Sequence, residues 1–230
     1  MDIQILHQLE GAADADGLTV VIDVFRAFTL ECYMYAAGAA AVYPTAGIEE
    51  SWALKKQYPD AVLAGERNGI MVEGFDYGNA PSQFEHLDLR GRTVIHTTSA
   101  GVQGLAAVSK ADEVLTGSLV NASAIARYIQ QKKPAAVSLV AMGWNAVKDT
   151  EEDILCAEYI RSLLEGKPLA DIHKQAYDLR LSEGKKFFDP ARQSVFPERD
   201  FWLCIDVDRF DHVIRVERRN GRLETDWLKV

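Results

Sequence analysis

Apolar residues fall into short β-type runs that alternate with longer runs of helical spacing along most of the chain. The predicted strands cover residues 18–24, 61–64, 93–95, 113–115 and 135–140. The predicted helices that follow cover residues 27–40, 48–58, 102–108, 122–131 and 151–164. This alternation is typical of strand-then-helix units, whose strands form a sheet covered by helices on both faces. We therefore predict an α/β fold with three α/β/α layers and a largely parallel or mixed sheet.

The C-terminal part of the chain shows a different pattern. Residues 211–217 alternate apolar and polar side chains, Asn220-Gly221 is a strong hairpin-turn signal, and residues 223–230 can form the returning strand. We predict an antiparallel hairpin within about residues 205–230, at the sheet edge or as a small lobe. A weaker helical stretch precedes it, from Pro168 to about Lys186. No Ser/Gly linker or repeat interrupts the chain, so residues 1–230 are expected to form one domain.

Composition and charge narrow the class of protein. With 230 residues, 48% hydrophobic and 26% charged, the chain has a globular composition and the length to fold without disulfides or a structural metal. A formal net charge of −9 without basic runs argues against nucleic-acid or anionic-membrane partners. Cys32, Cys156 and Cys204 are far apart, which indicates reduced, buried thiols. Because no apolar run approaches ~20 residues and the N-terminal residues do not resemble a leader, we expect a cytoplasmic protein.

Polar side chains collect where the predicted strands end. These strand ends are residues 23–26, 65–69, 96–101, 116–121 and 142–145. Because the carboxyl ends of parallel strands share one edge of a sheet, we expect the five ends to converge on one cleft. Each loop alone also fits a structural role, since small polar residues cap helices and Gly forms turns. Asp23, Arg26, Glu66 and Arg67 favour a functional cleft, because charges at the mouth of a buried sheet need partners.

Two strand-to-helix turns present small hydroxyl or amide side chains. Such turns offer backbone N–H groups and side-chain donors to an anion, and the helix dipole adds favourable potential. The candidate phosphate-binding residues are Thr97, Thr98, Ser99, Gly101, Ser118 and Asn121. No Gly-Lys-Ser/Thr sequence follows, so neither turn is a Walker A loop. Plain helix capping fits Ser118 and Asn121 equally well.

Carboxylates on separate loops are candidate ligands of a divalent cation. They are Asp23, Glu66, Asp76, Glu152 and Asp153. Mg²⁺ typically takes one or two carboxylates together with water and phosphate oxygens, so two of these would suffice. The five histidines have neither helical pair spacing nor a Cys partner, which disfavours zinc. The acidic run 151–153 also fits a helix N-terminus without any metal.

Arg26 and Arg67 are candidate anion clamps, because a guanidinium grips phosphate, carboxylate or sulfonate oxygens through a fixed fork. Salt bridges to Asp23 or Glu66 are the structural alternative, and both roles can hold at once. Several known catalytic patterns are missing from the sequence. Asp23 lacks an Asp two residues later, Cys156 and Arg161 are one residue too close for a cysteine-phosphatase loop, and no Gly-x-Ser-x-Gly, GxGxxG or HExxH motif occurs.

Several blocks together resemble the 2-phosphosulfolactate phosphatase family. They are VIDVFRA at 21–27, GERNG at 65–69, GFDYGNAP at 74–81, TTSAG at 97–101, GSLVNA at 117–122 and Glu152-Asp153. The resemblance implies an α/β/α fold, a Mg²⁺ requirement and hydrolysis of the phosphate monoester of a sulfonated three-carbon acid to sulfolactate and phosphate. In methanogens this step belongs to coenzyme M biosynthesis. It also implies Asn79 as a phosphate-binding residue and Asp23, Arg26, Glu66, Arg67 and Asp76 as catalytic residues.

The chain departs from the family pattern at several positions. Ala100 and Val102 stand where the family usually has Asn and Thr, Asn68 replaces a Gly, Ala80 replaces a Ser and Phe25 replaces a Leu. Loss of a donor in a polar pocket costs about 1–3 kcal/mol of binding, enough to change which acid fits. The substrate can therefore differ while the catalytic chemistry stays.

The mechanism expected from these residues is metal-assisted phosphoryl transfer to water. Asp23 is a candidate general base or a candidate covalent phosphoryl acceptor, and the sequence leaves both roles open. Two alternatives remain: a non-catalytic protein that binds a small anion, which Ala100 and Val102 favour, and another Mg²⁺-dependent enzyme of small phospho-acids, such as a lyase or isomerase. An exposed edge hairpin would favour a homodimer.

Overall fold

The computed structural model describes residues 1–167 and 169–230, so that Pro168, where the predicted weak helical stretch begins, lies outside the described residues. The strands are β1 (Asp2–His7), β2 (Asp16–Ile22), β3 (Ala41–Pro44), β4 (Val62–Arg67), β5 (Ile70–Met71), β6 (Thr93–Thr97), β7 (Lys110–Gly117), β8 (Ala136–Ala141), β9 (His212–Arg219) and β10 (Arg222–Lys229). The α-helices are α1 (Gln8–Asp14), α2 (Ala27–Ala36), α3 (Ile48–Gln57), α4 (Gly101–Ala107), α5 (Ala122–Lys132), α6 (Glu151–Leu164), α7 (Ile172–Asp178) and α8 (Glu198–Cys204). Short 3₁₀ turns cover most of residues 179–192.

The five strands and five helices predicted from the apolar pattern are all present, with ends that differ by a few residues. The sequence analysis missed β1, whose side chains are mostly not buried, and β3, which has four residues and ends in a proline. Their short or weak patterns explain why periodicity did not detect them.

Opposite faces of the sheet pack against different helices. Val20 and Ile22 of β2 belong to the apolar cluster that includes residues of α5 and α6. Val21, between them, packs in the cluster that includes Ala12 of α1 and Leu105 of α4. Because successive side chains of a strand point to opposite faces, this division shows helices on both sides of β2. The predicted α/β fold with three layers is confirmed.

The sheet consists of two parallel blocks joined by the C-terminal hairpin. Its strand order is β1-β8-β2-β7-β9-β10-β3-β6-β4-β5. Pairing is parallel within β1-β8-β2-β7 and within β3-β6-β4, whereas β9 and β10 pair antiparallel with each other and with both blocks. The hairpin is present as predicted, but its predicted position at the edge or in a separate lobe was wrong. The argument for a homodimer from an exposed edge hairpin therefore has no basis.

The strands of one parallel block run antiparallel to the strands of the other block. The carboxyl ends of the two blocks nevertheless meet. The backbone N–H of Gly101, after β6, donates to Asp23 Oδ2, after β2, at 2.9 Å. Adjacent strands twist by about 20–25°, so the five strand pairs from β2 to β6 accumulate a rotation on the order of 100°. This twist is the physical reason that ends of opposite blocks approach one another.

The three cysteines are free and buried, as the sequence analysis expected. Burial raises the pKa of each thiol well above its usual range. Among the described residues, no helix combines the length and apolarity that a membrane crossing requires.

Candidate active site

A polar cavity lies where the carboxyl ends of the two blocks meet. Residues that follow β2, β4, β6 and β8 line it, together with the first turn of α6. The space between atoms is about 440 Å³ with the open mouth included, but a water-sized sphere can move within only about 30 Å³ of it. Four of the five predicted strand ends therefore converge, and the narrow space suits a small ligand.

Asp23 connects the ends of the two blocks. Its Oδ1 accepts a hydrogen bond from Ala27 N (3.1 Å), and its Oδ2 accepts one from Gly101 N (2.9 Å). A Cβ at position 101 would lie 2.9 Å both from Asp23 Oδ2 and from Phe28 Cζ. Glycine at 101 is therefore what permits this approach, and Gly101 acts through Asp23 rather than through a free N–H.

Glu66 joins the ends of β4 and β6 in the same manner. Its Oε1 accepts from Ser99 N (2.6 Å), while its Oε2 accepts from Gly69 N (2.6 Å) and Ser99 Oγ (3.0 Å). The carboxylate is buried and lines the cavity. Each oxygen keeps lone-pair capacity beyond these bonds, so Glu66 can still face a cation or a polar ligand.

Asp153, in the first turn of α6, ties β2 to β8. Its Oδ1 accepts from Val24 N (2.7 Å) and its Oδ2 from Gly143 N (2.8 Å). Glu152 beside it is also buried, and Glu152 Oε2 and Thr150 Oγ1 have no hydrogen-bond partner among the described residues. Buried polar atoms without a partner are costly, and a polar ligand or a cation at the cavity wall would satisfy these two atoms.

Three of the carboxyl groups that line the cavity, those of Asp23, Glu152 and Asp153, have raised pKa values. Burial, followed by repulsion from Glu66 that backbone hydrogen bonds partly offset, raises the pKa of Asp23 to about 6. Burial raises the pKa of Glu152 to about 7 although Lys186 opposes the shift. Burial and then the charges of Glu152 and Asp23 raise the pKa of Asp153 well above its usual range. Proximity of like charges in a buried site is the condition that a bound cation relieves.

Arg26 lines the cavity as a buried cation, but its carboxylate partner is neither Asp23 nor Glu66. Its Nη1 donates to Asp200 Oδ2 (2.7 Å) and to the backbone oxygen of Val195 (2.9 Å). Its guanidinium carbon stands 4.8 Å from the centre of the Phe196 ring. Nη2 makes one long contact, to Gly69 O at 3.4 Å. The guanidinium is therefore fixed in place while it retains donors for an anion.

Asn79 lines the cavity and is the last of three buried side chains that are linked by hydrogen bonds. Its Oδ1 lies 3.3 Å from His96 Nε2, and His96 Nδ1 lies 2.9 Å from Glu31 Oε1. Glu31 and His96 are fully buried. These hydrogen bonds fix the side-chain carbonyl of Asn79, and the amide N–H groups of Asn79 remain available to a ligand.

Several candidates from the sequence do not line the cavity. Arg67 donates to the backbone oxygens of Glu66 and Ala46 and to Thr97 Oγ1 (2.9 Å), and Thr97 Oγ1 itself donates to Thr45 O. Thr98 Oγ1 accepts from Val102 N, in the first turn of α4, at 3.1 Å. The hydrogen bonds of these groups stabilise the turn that follows β6. In that turn, Ser99 is the residue whose hydroxyl group lines the cavity.

Asp76, Ser118 and Asn121 also lie outside the cavity lining. Asp76 is exposed, and its Oδ2 accepts from Leu63 N near the start of β4, away from Glu66 at the other end of that strand. Ser118 and Asn121 form a reciprocal capping box at the helical turn after β7. For Ser118 and Asn121, the structure matches the capping role that the sequence left open.

The departure at Asn68 has a physical explanation. Asn68 adopts φ = 55°, a left-handed conformation that Gly and Asn tolerate best. Its Oδ1 accepts from Asn145 Nδ2 at 2.8 Å, which adds a link between the β4 and β8 loops. Ala100 does line the cavity, so the missing Asn side chain there leaves an apolar patch in the wall.

Thr150 and Asp200 are site residues that the sequence analysis missed. Thr150 precedes α6 directly, and a polar residue ahead of an acidic first turn is a signal that could have identified it. Asp200 lies within α8 and is separated from Arg26 by 174 residues, a distance that no local pattern spans.

The donor set fits Mg²⁺ held by few protein ligands. Within residues 1–167 and 169–230, no three His, Cys, Asp or Glu side chains form a group that could hold a metal by itself. One or two carboxylates with water and phosphate oxygens satisfy Mg²⁺, and the unpartnered Glu152 Oε2 offers such an oxygen. The residues present are thus compatible with a magnesium ion that also binds substrate.

In metal-free protein, we expect Glu152→Gln to raise the free energy of unfolding at pH 8 by about 3 kcal/mol, since each unit of pKa shift corresponds to about 1.4 kcal/mol. The folded-state pKa of Glu152 is raised from 4.5 to about 7. Its stabilising contribution is therefore complete below pH 4.5 and lost as the pH rises through 7. Urea denaturation in EDTA at pH 4.5 and pH 8 measures the difference.

The matched control is Glu151→Gln, which removes the exposed neighbouring carboxylate and should change stability little at either pH. An equal gain at pH 4.5 and pH 8 for Glu152→Gln would contradict the predicted pH dependence. Mg²⁺ should reduce the gain, because the ion favours the ionised carboxylate that only the wild-type chain has.

Comparisons with known proteins identify the family to which the chain is similar. A family model described as 2-phosphosulpholactate phosphatase matches residues 3–219. A protein of Carboxydothermus hydrogenoformans, named "Probable 2-phosphosulfolactate phosphatase", is 38% identical over 233 residues, covering 97% of this chain and 96% of the relative. Proteins with the same name from Bacillus subtilis and Caldanaerobacter subterraneus subsp. tengcongensis are 30% and 33% identical, and they cover 93% and 90% of this chain and 92% and 89% of their own lengths.

Proposed function

The chain belongs to the 2-phosphosulpholactate phosphatase family, whose members are phosphoric monoester hydrolases, and we propose that it hydrolyses the phosphate monoester of a small anionic three-carbon acid with Mg²⁺ as cofactor. The first candidate substrate is 2-phosphosulfolactate, with sulfolactate and phosphate as products. The observation that carries the proposal is one narrow cavity whose lining contains Arg26 and four buried carboxylates. Those carboxylates are Asp23, Glu66, Glu152 and Asp153.

The cofactor would be held by one or two of these four carboxylates. A bound Mg²⁺ offsets the charge of carboxylates and phosphate and polarises the phosphoryl oxygens. The unpartnered Glu152 Oε2 and the raised pKa of Asp153 support a cation here.

Arg26 is the residue that we assign to the phosphoryl oxygens. Its position is fixed by Asp200, and its remaining N–H groups are free to form charge-assisted hydrogen bonds. Asn79 presents its amide N–H groups to the same cavity. Cationic and neutral donors together let an acidic protein accept a strongly anionic ligand.

Asp23 is the residue that we assign to proton or phosphoryl transfer. With a pKa of about 6 it is ionised at neutral pH, yet it is basic enough to accept a proton from an attacking water. The same oxygen can instead attack phosphorus directly and form an aspartyl-phosphate. Trapping of such an intermediate after acid quench would exclude direct attack by water.

The experiment that tests the function is phosphate release from a panel of phosphorylated three-carbon acids, with Mg²⁺ or EDTA. We expect Mg²⁺-dependent release and a fall of about 100-fold or more in kcat/KM for Glu66→Gln. The NH₂ group of the amide would face the backbone N–H of either Ser99 or Gly69, so one of these two hydrogen bonds at the β4 and β6 ends is lost. Glu73→Gln, at an exposed carboxylate, is the control and should retain activity.

Other outcomes identify the alternatives. An unsaturated acid among the products would indicate a lyase rather than a phosphatase. Binding of a phosphorylated acid without phosphate release above the Glu66→Gln level would indicate an anion-binding protein, which the apolar wall at Ala100 favours. We also propose a cytoplasmic location, which the three free buried cysteines support.

A further inference from the structure

Lys186 lies within a group of aromatic rings next to the cavity, although its own side chain is not part of the cavity lining. Its Nζ lies 4.9 Å from the ring centre of Trp144 and 5.7 Å from the centres of Phe25, Phe187 and Phe196. Phe25, Trp144 and Phe196 line the cavity. An ammonium group among aromatic faces is attracted to them, so its position is restricted although no hydrogen bond holds it.

The ammonium group keeps its donors free. Among the described residues, Lys186 Nζ forms no hydrogen bond and no ion pair within 4.0 Å, although its charge acts to lower the pKa of Glu152. Other lysines do have partners: Lys110 pairs with Asp14 and Lys132 with Glu113. Three N–H donors without acceptors beside a polar cavity are suited to an anion.

Three arginines lie near the cavity: Arg26 and Arg67 already have hydrogen-bond partners, and Arg192, 4.6 Å from the ring centre of Phe196, is exposed. Arg26 is already paired with Asp200 and bonded to Val195 O. Arg67 already donates to the backbone oxygens of Glu66 and Ala46 and to Thr97 Oγ1. A substrate that carries a phosphate and a second acidic group therefore needs another cation, and Lys186 is suitably placed.

We propose that Lys186 binds the second anionic group of the substrate, a sulfonate or a carboxylate, and so determines specificity for a phosphorylated acid. This inference rests on the proposed phosphatase function. The phosphoryl group belongs at Asp23 and Arg26, because the proton acceptor and the guanidinium that we assign to the phosphoryl oxygens are there. The aromatic side of the cavity is left for the other end of the substrate, where the ammonium group can form charge-assisted hydrogen bonds with an anion.

The test compares Lys186→Met and Lys186→Arg with Lys185→Met, which removes the exposed neighbouring ammonium in the same 3₁₀ segment. The substrates are 2-phosphosulfolactate, 2-phospholactate without the sulfonate, and phosphoethanol without either acid group. For Lys186→Met we expect KM for 2-phosphosulfolactate to rise about 10- to 100-fold, the value of a lost charge-assisted hydrogen bond, with kcat changed much less. Lys186→Arg should recover part of the loss, and Lys185→Met should resemble wild type.

The three substrates separate the sources of the anion. If only 2-phosphosulfolactate is affected, Lys186 binds the sulfonate; if 2-phospholactate is affected as well, it binds the carboxylate. An equal change for phosphoethanol, or a loss confined to kcat, would overturn the proposal and indicate a structural role.

A binding measurement tests Lys186 even if the proposed function fails. Calorimetric titration with sulfolactate needs no turnover, and we expect it to show binding to wild type and Lys185→Met and weak binding to Lys186→Met. Absence of hydrolysis by wild type, with this binding pattern intact, would refute the phosphatase function alone. Sulfolactate binding that is equal in wild type and Lys186→Met would overturn the role of Lys186.

Discussion

Asp200→Ala is expected to lower the free energy of unfolding by about 3–5 kcal/mol, the usual result of removing one partner of a buried ion pair. Arg26 and Asp200 are 3% and 0% exposed, and their Nη1 and Oδ2 atoms lie 2.7 Å apart. Asp200 Oδ1 also accepts from Ser82 N at 2.8 Å, so the substitution leaves a second donor unsatisfied. Urea denaturation measures the loss, and the melting temperature should fall by about 10 °C.

The double variant Arg26→Met/Asp200→Leu separates the charge effect from packing. Replacing both members with apolar side chains removes the unpaired buried charge, and it should recover much of the stability lost in Asp200→Ala. Its activity should remain low, because the guanidinium that we assign to the phosphoryl group is gone. If Asp200→Ala lies within about 1 kcal/mol of wild type, the pair is not what fixes Arg26.

Asp23→Asn is expected to lower kcat by about 10²- to 10⁴-fold, the range that a general base contributes. In the wild-type enzyme, kcat/KM should rise as the pH increases through about 6, because only the ionised carboxylate can accept a proton or attack phosphorus. The variant should lack this rise. Phosphate release between pH 4.5 and 8.5 measures both effects, and a variant that keeps a tenth of the wild-type kcat would exclude both roles.

Asp76→Asn distinguishes a catalytic role of Asp76 from a structural one. The family resemblance implies a catalytic Asp76, whereas the structure places this carboxylate outside the cavity, bonded to Leu63 N. A loss of activity without a loss of stability would support the implied role. A loss of stability with kcat close to wild type would support the structural one.

The parts of the fold that could be predicted are those whose sequence signal lies within one short segment of the chain. The α6 helix was predicted at residues 151–164, where it is found, because its apolar spacing and acidic first turn lie within one segment. The hairpin was also visible from Asn220-Gly221 and the flanking alternation. The position of the hairpin between β7 and β3 could not be predicted, because strand order depends on pairings between distant parts of the chain.

The residues of the candidate site also divide into those that a local sequence pattern identifies and those that only the folded structure brings together. Asp23 and Glu66 were found because they directly follow apolar runs, and strand ends converge in such sheets. Lys186 escaped notice because it follows no strand, although the sequence Lys185-Lys186-Phe187-Phe188 joins basic and aromatic residues. Its proximity to Phe25 and Trp144 exists only in the folded protein, because both residues are distant in sequence.

The central position of the β9–β10 hairpin has a consequence for biosynthesis. Until residues 212–229 have left the ribosome, β7 and β3 have no partners on their inner sides, and each presents unpaired backbone groups. Unpaired strand edges promote association between chains. A nascent chain is therefore most prone to aggregate just before its final strands emerge, and removal of the hairpin would leave two open half-sheets.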